Sequence, residues 1–205
     1  MNNRHLFLTS SGLSDRMKKM FIDIIEKSPK EMRILYIPSA GYETDVAREG
    51  FAVCLDELAK MGIRYDNILI YNLELLLSKE YKRTYSAHIA NPAMVSRLLT
   101  IEELSTFDAV FVSGGDSTVL CREMVRTGFD EVLKRAIDDG LVYIGISAGS
   151  MYAAGNLDNG LHIILNPVIP HWSGQKATEI TNSSAKIYLS DGQALYVEND
   201  KIRLI

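Results

Sequence analysis

Short apolar runs alternate along the chain with longer stretches whose apolar residues recur every three or four positions. Residues 5–9, 33–37, 67–71, 108–112 and 141–146 predict strands. Residues 15–27 predict a helix capped by Ser14 or Asp15, with Met17, Met20, Phe21, Ile24 and Ile25 on one face. Residues 45–61 predict a second, with Phe51, Leu55, Leu58 and Ala59 at core spacing and Gly62 at its end. Residues 118–138 predict helical material between the fourth and fifth strands. Strand followed by helix, repeated, is the signature of an α/β fold: a mostly parallel sheet with helices on both faces.

Two regions break this rhythm. Residues 73–104 are long, polar in patches and rich in Leu, and predict one or two helices in an insertion within a single α/β domain spanning 1–205. After about Asn156 the pattern turns to β, at 186–189, 194–197 and 202–204, with a hairpin turn at Glu198-Asn199-Asp200-Lys201.

Gly145-Ile146-Ser147-Ala148-Gly149 forms G-x-S-x-G between an apolar strand and a helix predicted over 148–154. That setting suits a nucleophile elbow, in which a tight turn exposes the serine oxygen at the strand's carboxyl end. The helix start aims N–H groups at developing negative charge. The plain alternative is a small-residue turn in which Ser147 only caps the helix.

A nucleophilic serine needs a base, and the chain has four histidines. His5 opens the first strand and reads as surface; His88 falls in the insertion; His162 reads as a strand-face residue. His171 ends Asn166-Pro-Val-Ile-Pro-His171, where two prolines stiffen an extended mount, and is the expected base. Among downstream acids, Asp191 follows a predicted strand and is the expected orienting carboxylate, with Asp158 as its rival. Glu198 and Asp200 belong to the turn. The N–H of Ala148 supplies one oxyanion donor, and Ser113-Gly114-Gly115-Asp116 is the candidate for the second. Gly114 and Asp116 are expected near the substrate. The segment lacks both G-x-G-x-x-G and G-K-[ST], so nucleotide binding is disfavoured.

Composition narrows the setting. With 47% hydrophobic and 23% charged residues the chain can build a core, which excludes extended disorder. A net charge of −4 disfavours a nucleic-acid partner. Cys54 and Cys121 form no CxxC, so neither a zinc cluster nor a disulfide framework is expected. No basic leader precedes a long apolar run and no window approaches a membrane span, so a cytoplasmic setting is expected.

Taken in order, the Gly-Gly-Asp segment, the Gly-Ile-Ser-Ala-Gly elbow, the Asn-Pro…His loop and the late acid–Gly pair resemble the peptidase E and cyanophycinase family of serine peptidases. The resemblance implies a flavodoxin-like or class I glutamine-amidotransferase-like fold, here with a C-terminal β hairpin, and peptide-bond hydrolysis without cofactor or metal. It implies Ser147 as nucleophile, His171 as base, and Gly115 and Ala148 as oxyanion donors. Asp191 stands where peptidase E has a glutamate.

Departures leave specificity open. Peptidase E cleaves dipeptides with N-terminal aspartate, yet the interval from His171 to Asp191 holds no arginine. Arg122 and Arg126 could bind an aspartyl side chain only if their helix faces the pocket. The expected partner is a short peptide and the expected assembly a monomer or homodimer. Three readings compete: an esterase, whose usual order is Ser, acid, His; an amidotransferase-like domain, which would use cysteine; and a non-catalytic peptide binder.

Overall fold

The computed structural model describes residues 4–41, 45–80, 97–174 and 185–205. Seven strands form one sheet in the order β3-β2-β4-β5-β1-β8-β9. They are β1 (His5–Thr9), β2 (Ile34–Ile37), β3 (Ile68–Ile70), β4 (Ala109–Val112), β5 (Val142–Ile146), β8 (Ala194–Glu198) and β9 (Lys201–Leu204). The first five run parallel; β8 and β9 add an antiparallel hairpin beside β1. The expected α/β architecture is therefore present, hairpin included.

Alternation along the strands explains the two-sided core. Leu6 and Leu8 face one side and Phe7 the other. The Phe7 side, with Ile34, Tyr36, Phe111 and Ile144, packs against α1 (Asp15–Ile25) and α2 (Asp45–Lys60). The opposite side packs against α3 (Ile101–Leu104), α4 (Ser117–Thr127), α5 (Phe129–Asp138) and α6 (Ala148–Ala153). Ser14, not Asp15, caps α1, accepting from the Met17 N–H.

The stretch 118–138 is two helices. Gly128 breaks it at φ 78°, its N–H closing on the Met124 and Val125 carbonyls. Of the expected insertion, a 3₁₀ turn at Leu73–Leu75 and the one-turn α3 are described; residues 81–96, with His88, lie outside the described residues.

A feature the sequence pattern did not predict is a separate parallel pair, β6 (Val168–Ile169) with β7 (Ile187–Tyr188). Parallel strands end on the same side. His171 follows β6 and Asp191 follows β7, so this pair brings the two together. The ladder continues past both strands, from Leu189 N–H to Ile169 O and from Trp172 N–H to Leu189 O.

Candidate active site

The site lies at the carboxyl edge of the main sheet, where open α/β sheets gather their functional groups. Ser147 occupies the turn from β5 to α6 at φ 48° and ψ −98°, a conformation that a side chain rarely adopts. Several contacts hold it there. Its N–H donates to Thr9 O at 3.0 Å. The Ser150 hydroxyl lies 2.8 Å from Thr9 O and 2.7 Å from Gly145 O, and the Tyr143 hydroxyl donates to Gly149 O at 2.7 Å.

The two motif glycines are required by close approach. A Cβ on Gly145 would stand 2.6 Å from the Gly149 carbonyl carbon, and one on Gly149 would stand 2.4 Å from Val112 O. Strand, turn and helix can cross this tightly only without those side chains.

Three expected residues meet in one line. Ser147 Oγ lies 3.0 Å from His171 Nε2, and His171 Nδ1 lies 2.8 Å from Asp191 Oδ1. A carboxylate only accepts, so Nδ1 carries the proton and Nε2 is left to accept from the serine hydroxyl. His171 itself sits at φ 56°, held by its N–H donating to Ser10 Oγ at 2.8 Å. The Ser10 hydroxyl in turn donates to Asp191 Oδ1 at 2.8 Å. Hydrogen bonding from Ser10, with further contributions from His171 and Ser11, holds the Asp191 carboxyl below the usual aspartate range.

Ser10 was missed in the sequence. It follows β1 directly, and the register pairing Thr9 with Ile146 sets it beside Ser147. The small polar run Thr9-Ser10-Ser11-Gly12 was a visible signal, but nothing in the linear order said that β1 borders β5.

The oxyanion candidates flank the serine. Ala148 opens α6, so its N–H has no partner within that helix. Gly114 lies close enough that a Cβ there would touch Ser147 Cβ at 3.4 Å. Gly115 has φ 128°, and a Cβ would collide with Ala40 O at 1.9 Å, so only glycine fits. Asp116 instead caps α4, its Oδ1 accepting from Thr118 and Val119 N–H groups, which also lowers its pKa.

Other expectations are corrected. His162 is on no strand; it sits exposed in a loop at φ 50°, with Nε2 3.0 Å from Asp158 O. Asp158 is exposed beside it, and it is Asp191 that faces His171 Nδ1. His5 pairs with the Tyr196 hydroxyl at 2.6 Å. Arg126 is spent on structure, donating to Leu73 O, Leu76 O and Glu123, and Arg122 also pairs with Glu123. Neither is poised to bind an acidic substrate. Among the described residues no three His, Cys, Asp or Glu side chains gather as a metal site.

The family model of peptidase family S51 matches residues 88–205. The chain belongs to peptidase family S51. That stretch contains Ser147, His171 and Asp191. Among curated relatives, an uncharacterized peptidase of Pasteurella multocida is 26% identical over 124 residues, covering 48% of this chain and 60% of that protein. Peptidase E of Streptomyces coelicolor is 46% identical over 57 residues, covering 28% of this chain and 24% of its own. The chain thus spans at most 60% of the length of either relative.

A pyridoxal 5'-phosphate synthase subunit PdxT from Pyrococcus horikoshii is 41% identical over 63 residues, 31% of this chain and 32% of that protein. The crystal structure of a candidate peptidase E from Listeria monocytogenes EGD-e superposes with a TM-score of 0.62 at 21% identity, covering 99% of this chain and 98% of that one. A likeness at that identity shows the fold alone. No described helix is long and apolar enough to cross a membrane.

Proposed function

We propose that this S51 member is a serine-type peptidase acting on short peptides as a dipeptidase or exopeptidase. The observation that carries the reading is the unbroken line from Ser147 Oγ through both ring nitrogens of His171 to Asp191. In this mechanism Ser147 attacks the scissile carbonyl as His171 Nε2 takes its proton. Asp191 steadies the resulting imidazolium. The Gly115 and Ala148 N–H groups hold the oxyanion as the carbonyl becomes tetrahedral. His171 then protonates the leaving amine, and water, activated by the same histidine, hydrolyses the acyl-enzyme. Every step uses side chains and amides of the chain itself.

Hydrolysis of a dipeptide and tripeptide library, with wild type beside Ser147→Ala, tests the proposal. Wild type cleaves a subset, and the variant loses about a thousandfold or more of that activity. Equal turnover by the two proteins would overturn it.

A further inference from the structure

A cavity of about 470 Å³ opens from Ser147 into the gap between the sheet and helices α1 and α2. That volume is within the ordinary range for a small-molecule site. Its catalytic end is formed by Ser113, Gly114, Gly115, Ser147 and His171. Beyond them the wall is apolar: Tyr36, Phe111 and Ile146 from the sheet, Phe51, Leu58 and Met61 from the second helix and its end. The glycines on the oxyanion side and His171 both border this cavity, and the acyl half of a substrate is the part that stays on Ser147. The leaving amine belongs beside His171 Nε2.

Among the described lining residues the lysine and glutamate charges offset each other. Apart from His171, Lys18 is the only cationic residue among the described lining residues, and it is paired to Glu57. That pairing holds the Glu57 carboxyl below its usual range. An acidic substrate side chain entering here would lose water, meet an apolar wall and find the lysine already neutralised. The Ser113 hydroxyl, buried at the catalytic end, has no hydrogen-bond partner among the described residues. It is available to a substrate backbone atom next to the scissile carbonyl.

We infer that this cavity is the acyl-side specificity pocket and takes a large uncharged apolar side chain, of the Leu, Met or Phe kind, in place of an aspartyl one. The inference rests on the peptidase reading for the position of the acyl half, and names its substrate class.

The test compares aminoacyl p-nitroanilides of Leu, Met, Phe, Ala, Asp and Lys as substrates of the wild type. The matching aminoacyl amides are titrated against Ser147→Ala by thermal shift, which needs no catalysis. Val53→Arg is the companion variant: Val53 lines the cavity yet is 60% exposed, so an arginine there can be carried on the helix surface. The expected result is kcat/KM for Leu, Met or Phe at least about tenfold above Asp, with Val53→Arg narrowing or reversing that ratio. Preference for Asp, or no discrimination, overturns the pocket assignment while leaving the peptidase reading in place. No hydrolysis, but apolar amides that stabilise Ser147→Ala and fail to stabilise Ser147→Ala/Val53→Arg, upholds the pocket and removes the peptidase. Neither hydrolysis nor apolar-selective binding overturns both.

Discussion

The Ser10 hydroxyl donates to the Asp191 oxygen that faces His171, and the same Ser10 oxygen accepts from the His171 backbone N–H. One side chain at the end of β1 thus fixes both the acid and the mount of the base. Because Asp191 is largely exposed, this tie replaces the burial that would otherwise hold a carboxylate in place. Ser10→Ala is expected to lower kcat by about tenfold with a smaller change in KM. The Asp191 titration gives a second readout. Ser10 is the largest contributor to the lowered Asp191 pKa, so its removal raises that pKa, which carboxyl NMR against pH follows directly. An unmoved Asp191 titration would reduce Ser10 to a packing role.

Asp191→Asn keeps the shape but can donate to Nδ1, which favours the tautomer with the proton on Nε2, where the base must be free. Turnover is expected to fall about a hundredfold or more. Asp158→Asn, exposed and in contact with the wrong histidine through its backbone, is the control and should stay within about twofold. Parallel steady-state kinetics on the two variants decide between these acids.

The glycine at the inner end of the elbow is expected to matter for folding before it matters for chemistry. Gly149→Ala drives a methyl into the Val112 carbonyl, which cannot rotate away as a side chain could. A loss of about 1–3 kcal/mol follows from overpacking of this kind. Urea unfolding monitored by circular dichroism measures it; an unchanged midpoint would mean that α6 and β4 can part more easily than their packing implies.

Acid stability should depend on Glu103. It accepts from both terminal nitrogens of Arg97 and from the Thr100 N–H, and its pKa is pushed down from 4.5 to about 2. A folded pKa below the unfolded one contributes stability that is present above about pH 4.5 and is lost as pH falls toward 2. Allowing for solvent screening, Glu103→Gln should cost on the order of 1 kcal/mol at pH 7, a Tm drop of about 2–4 °C. Near pH 2 the two proteins should melt together. A constant gap across that range would assign the loss to packing.

Local signals carried much of this architecture. Strand-length apolar runs, the Ser14 cap and the G-x-S-x-G turn each depend on neighbours in sequence, and His171 was marked by the prolines that stiffen its approach. Features set by strand order were less legible. That β1 lies beside β5, so that Ser10 meets Asp191 and His171, is a property of the sheet. The run at 186–189 was readable as a strand, but its two-residue partner β6 is too short for alternation to register, and it is their parallel pairing that juxtaposes base and acid. The apolar cavity was hidden for a related reason: Phe51, Leu58 and Met61 have the spacing of an ordinary core face, and only the packed position of α2 shows that part of that face borders Ser147.

The most direct measurement of the central claim is covalent labelling of the folded protein with a fluorophosphonate, followed by peptide mass mapping. The account predicts one adduct, on Ser147, absent in Ser147→Ala and formed at least about a hundredfold more slowly in His171→Ala. An unlabelled Ser147 in folded protein, or labelling at the same rate without His171, would contradict it.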